Sequence, residues 1–363
     1  MIAIRANYLF QVHFLRPDKR SAWKAVTRLV VPPQLRLLSD DERTDLLNKV
    51  EQSTCYQPHL FRLLRKPWQT RREKSPEPIN PFVVVSDWPD DAPSLPLTTG
   101  GSRNLLGQWC IFLPDMSPER QTFYHREIKV DHVKSAGIEK RTRLQSSDTE
   151  WKQHLCQRIT STFSKRVVTG INNVSRGREE RRKKLALEII RPLDISHIPH
   201  IKRGSNMEPV AVEHFITVRK EMGESAKCYP VGFVVHPTES WLGASPDRLV
   251  KITDDHTGQQ HWCLLEVKTY DPEKNIESLS YLKRKTDTSG VVNTYLCRNH
   301  AHYYQVQTAL LCTGFEKSFF FVFASNSVEY FLEEISADHT VQNLILTNGS
   351  KFYFEHLLEE LIE

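Results

Sequence analysis

The chain uses cysteine sparingly and without pattern. Cys55, Cys110, Cys156, Cys228, Cys263, Cys297 and Cys312 are an odd set with no Cys-x-x-Cys spacing. That excludes a zinc ribbon and a secreted disulfide framework, and points to the inside of a cell, nucleus or cytoplasm. Apolar runs long enough to cross a bilayer are missing, as is a signal-peptide core near the N-terminus, so no membrane partner is expected. A strong excess of one charge is also lacking: +5 over 363 residues does not by itself call for nucleic acid. His300 and His302 lack the i, i+4 spacing of a helical zinc pair, and no internal repeat is present.

What is there is unevenly distributed. Residues 1–66 read as mixed structure of unassigned role. Arg5, Arg16, Lys19, Arg20, Lys24 and Arg28 face only Asp18 there, which suits a mitochondrial presequence, but Ile2, Ile4, Tyr8, Leu9, Phe10 and Val12 suit a first strand somewhat better. A charged helix is predicted over 39–50, opened by Ser39-Asp40-Asp41-Glu42. Residues 67–149 are punctuated by Pro67, Pro76, Pro78, Pro81, Pro89, Pro93 and Pro96, then Gly100-Gly101. This region reads as a linker with short strands at 82–85, 109–113 and 123–130. From residue 150 to 363 the pattern is cleaner and predicts one α/β domain.

The chemistry lies in that last region. Trp262 to Lys268 reads as a short buried strand. Side chains alternate along a strand, so Glu266 and Lys268 share one face while Val267 points into the core. Arg248 to Ile252 reads as its partner, with Asp247 at its start and the turn-forming Thr253-Asp254-Asp255-His256-Thr257-Gly258 between them. A hairpin of this kind carries Asp247 towards Glu266. Two flanking helices complete the set. One is predicted to start near Glu208, with Pro209 in its first turn. The other, His300 to Leu311, carries Gln305, a neutral donor and acceptor suited to orienting a water or touching a phosphate. Two carboxylates and a lysine at such spacing suit phosphodiester hydrolysis, in which magnesium takes carboxylate oxygens and activates water.

Each residue alone has a plainer explanation. Asp247 suits a turn after Pro246, Glu266 and Lys268 suit an exposed ion pair, and Glu208 suits a helix N-terminus through the macrodipole. All of them in one order carry far more information. A basic cluster, Lys165-Arg166, Arg176, Arg178 and Arg181-Arg182-Lys183-Lys184, would neutralise phosphates. It reads equally well as a solvated helix, because Glu179 with Lys183 and Glu180 with Lys184 are helix-stabilising pairs. Lys283-Arg284-Lys285 is a second candidate for DNA contact.

The order Gly204 to Glu208, Ser245-Pro246-Asp247, Glu266-Val267-Lys268 and Tyr303 to Gln307 resembles the YqaJ-type viral recombinase exonucleases. These form the lambda-exonuclease branch of the PD-(D/E)xK nuclease superfamily. The resemblance implies a restriction-endonuclease-like α/β core, a mixed central sheet flanked by helices. It implies a Mg2+- or Mn2+-dependent exonuclease degrading one strand of duplex DNA from its 5′ end, in recombination or repair. It also implies a homo-oligomer, since family members form rings around duplex. By the same resemblance, Asp247 and Glu266 would hold metal, Val267 would lend its backbone carbonyl, and Lys268 would orient the attacking water. Glu208 would complete a second metal position, and Gln305 would sit beside it. Ser245 and Thr162 would contact the terminal phosphate; Arg181 and Arg182, from the basic cluster rather than the resemblance, are the further candidate DNA contacts.

This chain departs from the family pattern at three points. Arg248 stands where a glycine is usual, and Thr269-Tyr270 where Cys-Pro is usual. Leu155 falls where the family places a phosphate-binding arginine; Arg158 is the nearest substitute. None of these removes a metal-holding residue, but they bear on end recognition. The rival expectations are a structure-selective endonuclease of the same fold and a non-catalytic DNA-binding module retained from a mobile element.

Overall fold

A computed structural model of the chain describes residues 88–97 and 116–362, except 173–176, 194–197, 272–273, 289 and 325–328. The strands and helix expected before residue 88, the strand at 109–113 and Arg176 lie outside the described residues. In chain order the elements begin with α1 (Pro118–Phe123, continued as a wide turn over Tyr124–Ile128), α2 (His132–Arg141), α3 (Thr149–Gln157) and β1 (Ile159–Thr160). Next are α4 (Ser164–Ile171), α5 (Arg178–Ile190), α6 (Pro199–Glu221), β2 (Glu224–Pro230), β3 (Val234–Val235) and β4 (Leu242–Ala244). The core follows: β5 (Arg248–Asp254), β6 (Gln260–Thr269), β7 (Leu282–Thr286), β8 (Val292–Leu296) and α7 (Ala301–Thr313). The described chain closes with β9 (Lys317–Phe323), β10 (Tyr330–Ser336), α8 (His339–Phe352) and, after a wide turn, α9 (Leu358–Ile362).

The main sheet has the order β10-β9-β6-β5-β2. Only β6 and β9 run parallel within it; the other neighbours are antiparallel. Both faces are covered, which is why β6 and β9 read as nearly continuous apolar runs. On one face Leu249, Leu264, Phe320 and Val322 join a core with Val306, Ala309 and Leu310 of α7. On the other, Val250, Cys263, Leu265, Val267, Phe319 and Phe321 pack against Ala211, Val212 and Phe215 of α6. This is the expected mixed sheet flanked by helices. A second, three-stranded sheet, β1-β4-β3, pairs Ile159 with Leu242 in parallel. The β7–β8 hairpin, which carries Lys283-Arg284-Lys285, pairs only with itself.

Two sequence expectations are corrected. Residues 123–130 are not a strand: the segment continues α1, capped by Ser117, and ends in the wide turn. Its aromatic residue is turned to packing, with Tyr124 5.3 Å ring to ring from Phe354, so tertiary contact overrides β propensity. The helix carrying Glu208 begins at Pro199, not at Glu208, so Pro209 lies inside it. Its buried residues Ala211, Val212, Phe215 and Val218 hold one face onto the sheet, which sustains the helix past the proline's missing N–H. The closing helix starts at His339, where Asp338 accepts the N–H groups of Thr340 (3.1 Å) and Val341 (3.2 Å). At the end of α7, Gly314 takes φ 83° while its N–H donates to Leu310 O at 2.8 Å. That left-handed cap favours glycine and turns the chain directly into β9.

Candidate active site

The site forms where the β5–β6 ladder ends. Arg248 pairs with Leu265 as the last rung. One residue before it, the Asp247 carboxylate takes over, its Oδ2 accepting the Val267 N–H at 2.7 Å. In a strand, the N–H and C=O of one residue point to the same side. The Val267 carbonyl therefore also faces Asp247, beyond the last rung. Glu266 and Lys268 share the face of Leu264, towards α7, as their alternation requires. There Lys268 Nζ donates to Glu266 Oε1, and Gln305 Nε2 of α7 donates to the same oxygen at 2.5 Å. From the opposite layer, α6 presents Glu208 to Arg248, Oε1 to Nη1 at 2.8 Å. Arg248 Nη1 also donates to the Asp247 backbone carbonyl at 2.5 Å.

The electrostatics follow from crowding. Glu266 is 2 % exposed. Burial, then the charges of Asp247 and Glu208, push its carboxyl up to about 8, against the opposing pull of Lys268. Glu208 is shifted upwards by burial and by Asp247, again opposed by Arg248. Burial pulls the Lys268 ammonium down, but Glu266, Asp247 and Glu208 outweigh it and raise its pKa. Beside Gln305, burial and the charges of Lys268 and His300 draw His302 down to about 3, so it stands neutral.

Among the described residues, no three His, Cys, Asp or Glu side chains gather tightly enough to form a ready metal cage. The donor set nonetheless fits a hard divalent cation. Asp247, Glu266 and the Val267 carbonyl offer oxygen only, and magnesium takes one or two carboxylates and keeps its own waters. The upward shift of Glu266 comes first from burial and then from the neighbouring charges of Asp247 and Glu208, so three acids stand close together here.

A cleft of about 270 Å³ opens beside these groups. Asp247, Gln305, Ser245 and Thr162 all line it, together with Thr160, Ser161, Trp151 and Leu155. Four residues expected to meet substrate are thus brought to one place, although Ser245 and Gln305 are 60 positions apart in the sequence. Arg158 is not among them, which corrects the expectation that it replaces the missing phosphate-binding arginine. It is fully buried, donating to Ser240 O (2.9 Å), Ile128 O (2.9 Å) and His154 Nδ1 (2.8 Å). Its guanidinium holds three segments together and has no face left for DNA.

Arg182 is corrected likewise. It is 9 % exposed and donates to Ile171 O at 2.6 Å and to Glu179 at 2.8 Å. Arg181, its neighbour on α5, is exposed but is not among the residues lining the cleft. Much of the basic cluster is tied to acids: Arg166 to Glu188 at 2.5 Å, Arg178 to Glu179 at 3.2 Å and Lys183 to Glu360 at 3.0 Å. The last pair crosses elements and replaces the expected Glu179–Lys183 pair.

Two residues were missed in the sequence. Trp151 donates its indole N–H to Ser245 Oγ at 2.8 Å, fixing the hydroxyl at the cleft wall. Its spacing from Leu155, four residues on, was the available signal, since both then lie on one helix face. Gln145 donates to Val231 O (2.8 Å) and Pro246 O (3.2 Å), bracing the segment that ends in Asp247. It does so from a left-handed backbone, φ 45°, and nothing local in the sequence announces it.

A mixed sheet flanked by helices, with Asp at one strand end and Glu-x-Lys on the next, is the arrangement that the resemblance to the PD-(D/E)xK nucleases implies. Residues 150–316 match the family model of the YqaJ-like viral recombinase domain, the family whose motif order the sequence carries. No curated protein matches the chain. Among solved structures, the alkaline exonuclease LHK-Exo from Laribacter hongkongensis is similar at 23 % identity and a TM-score of 0.42, covering 59 % of this chain and 94 % of its own. A SOX–DNA complex is similar at 11 % identity and 0.41, covering 69 % and 80 %. The shutoff and exonuclease protein of Kaposi's sarcoma-associated herpesvirus is similar at 13 % and 0.35, covering 65 % and 79 %. At these TM-scores they add nothing to the family match.

Proposed function

We propose that this protein is a divalent-metal-dependent deoxyribonuclease, acting as an exonuclease from 5′ ends of duplex DNA in recombination or repair. The observation that carries the reading is the meeting of Asp247, the Glu266–Lys268 pair and Gln305 at one sheet end, with Asp247 and Gln305 on the wall of one cleft. Asp247, Glu266 and the Val267 carbonyl are the groups that would hold Mg2+ or Mn2+. Once bound, the ion would supply an activated water and a sink for charge on the phosphoryl oxygens.

The chain's own residues do the rest. Lys268, kept charged by three carboxylates, places a cation beside the attacking water and the developing phosphoryl charge. Gln305 orients the Glu266 carboxylate through its amide and borders the cleft with its side chain. Ser245, braced by Trp151, and Thr162 offer hydroxyls to a phosphate oxygen. Arg181 and the basic β7 strand are proposed to follow the backbone of the duplex, a salt-dependent contribution.

One observation favours a second reading. The lining of the cleft is hydroxyl, amide and apolar apart from Asp247, with Leu155 at the wall. Such a wall suits an enzyme that does not require a terminal phosphate, including a structure-selective endonuclease. The deciding assay uses linear duplex labelled at either the 5′ or the 3′ end, a covalently closed or nicked circle, and magnesium against EDTA. Early release from the 5′ label, lost in Lys268→Ala, supports the exonuclease. Cutting of covalently closed circles, which have no end, moves the assignment to the endonuclease. Retained DNA binding without cleavage in magnesium or manganese moves it to a non-catalytic module.

A further inference from the structure

Arg248 occupies an unusual place. It follows Asp247, a candidate metal-holding residue, yet its guanidinium turns to a second carboxylate of the same site. Arg248 Nη1 stands 2.8 Å from Glu208 Oε1 and 2.5 Å from the Asp247 backbone oxygen. One cation thus bridges α6 to the start of β5. Arg248 and Glu208 are both sheltered, with side chains 20 % and 34 % exposed, so the pair is screened less than a surface ion pair would be.

The charge count at the sheet end decides what else can enter. With all three acids ionised, as an ion held by Glu266 requires, Asp247, Glu266 and Glu208 bring three negative charges against two positive ones from Lys268 and Arg248, a net of one negative charge before the ion itself is counted. One divalent ion reverses that to a single positive charge, which an incoming phosphodiester neutralises. A second divalent ion would raise it to three, next to a guanidinium already within hydrogen-bonding distance of the carboxylate the ion would need. Like charges at such spacing are costly in a partly buried site.

We infer that Arg248 takes the place of a second metal ion: Glu208 serves as the guanidinium's partner, and the site holds one divalent ion on Asp247 and Glu266. This rests on the nuclease reading above and deepens it. It reassigns Glu208 from metal holder to positioning residue, acting through Arg248. The same guanidinium then lies close enough to Asp247 to supply the positive charge that a second ion would offer to a phosphoryl oxygen.

The test is the number of Mn2+ ions bound per full-length chain, read by calorimetric titration and by the electron paramagnetic resonance of free Mn2+. Wild type is expected to bind one ion, and Glu208→Gln to bind one with a Kd within about threefold of wild type. Arg248→Gln is expected to take up a second, weaker ion, which the double variant Arg248→Gln/Glu208→Gln loses again. Arg248→Lys, which keeps the charge, is expected to stay at one. Two ions on wild type, falling to one in Glu208→Gln, would overturn the inference and leave the nuclease reading intact; so would Arg248→Gln remaining at one ion while folded. No Mn2+ bound by wild type, with no cleavage, would overturn the nuclease reading itself. Thermal unfolding of each variant controls for folding, and if Arg248→Gln does not fold, the Glu208→Gln titration decides alone.

Discussion

The Asp247 carboxylate accepts the backbone N–H of Val267 at 2.7 Å, so a side chain continues the ladder where the β5 backbone leaves it. That bond holds one oxygen of Asp247 in place. It also sets the distance from Asp247 to Glu266, because the two are locked through adjacent positions of β6. The carboxylate pair therefore depends on strand register, and a one-residue slip would turn Glu266 and Lys268 to the opposite face of the sheet.

The pH dependence follows from Glu266. Its pKa is raised to about 8 in the folded protein from an ordinary value near 4.5. Between those values the folded chain holds a proton that the unfolded chain has released, so stability of the metal-free protein falls as pH rises through the window. Glu266→Gln is expected to flatten that slope in urea unfolding measured at steps from pH 5 to 8. An ion bound by Glu266 must displace the proton, so Mn2+ affinity is expected to rise by up to about tenfold per pH unit below 8 and level off above it. Affinity independent of pH in this range would remove Glu266 from the metal site.

Arg158 and Leu155 separate stability from end recognition. Removing the guanidinium that donates to Ser240 and Ile128 leaves buried carbonyls without a partner. Arg158→Met is expected to destabilise the fold by about 3 kcal/mol, from charged hydrogen bonds worth about 1.5–3 kcal/mol each. The ratio of cleavage on 5′-phosphoryl and 5′-hydroxyl ends should not change. Leu155→Arg, placed on the cleft wall, is expected to raise that ratio about tenfold through one new charge-assisted bond. If Arg158→Met alone abolished a 5′-phosphate preference, its assignment to the fold would fail.

Gln145 is expected to act at a distance. Its amide ties the carbonyls of Val231 and Pro246 from a left-handed backbone, a conformation costing about 1–3 kcal/mol for a non-glycine residue. Gln145→Ala loses both bonds and keeps the strain. It should lower kcat by about tenfold with little change in DNA affinity, since it loosens Asp247, and the Gln145 amide donors are already taken by the Val231 and Pro246 carbonyls. Gln145→Glu offers no donor to either carbonyl and should behave likewise. A loss of affinity with kcat intact would place Gln145 in substrate binding instead.

Much of the core was legible because its signals are local. The alternation of β6 placed Glu266 with Lys268, and a six-residue turn delivered Asp247 to them. The unbroken apolar run Phe319 to Phe323 is itself a local signal of a strand buried on both faces, and in the fold it pairs with β10. The helix of Glu208 was legible in its second half alone, because Pro209 imitates a first-turn proline. In α1, aromatic residues that favour strands were drawn into helix by packing on the C-terminal segment.

The amino-acid sequence by itself determined which chemistry could be built: acids, a lysine and an amide in the order of a nuclease core, on elements whose periodicity is set by neighbours a few residues apart. Only the tertiary structure decided which charges are spent on the fold. Arg158 reaches carbonyls 30 and 82 positions away, and Arg182 reaches those at the end of α4. Trp151 finds Ser245 across 94 positions. A charged side chain goes to whichever buried acceptors lie within its reach, and that geometry exists only once the layers have closed around it.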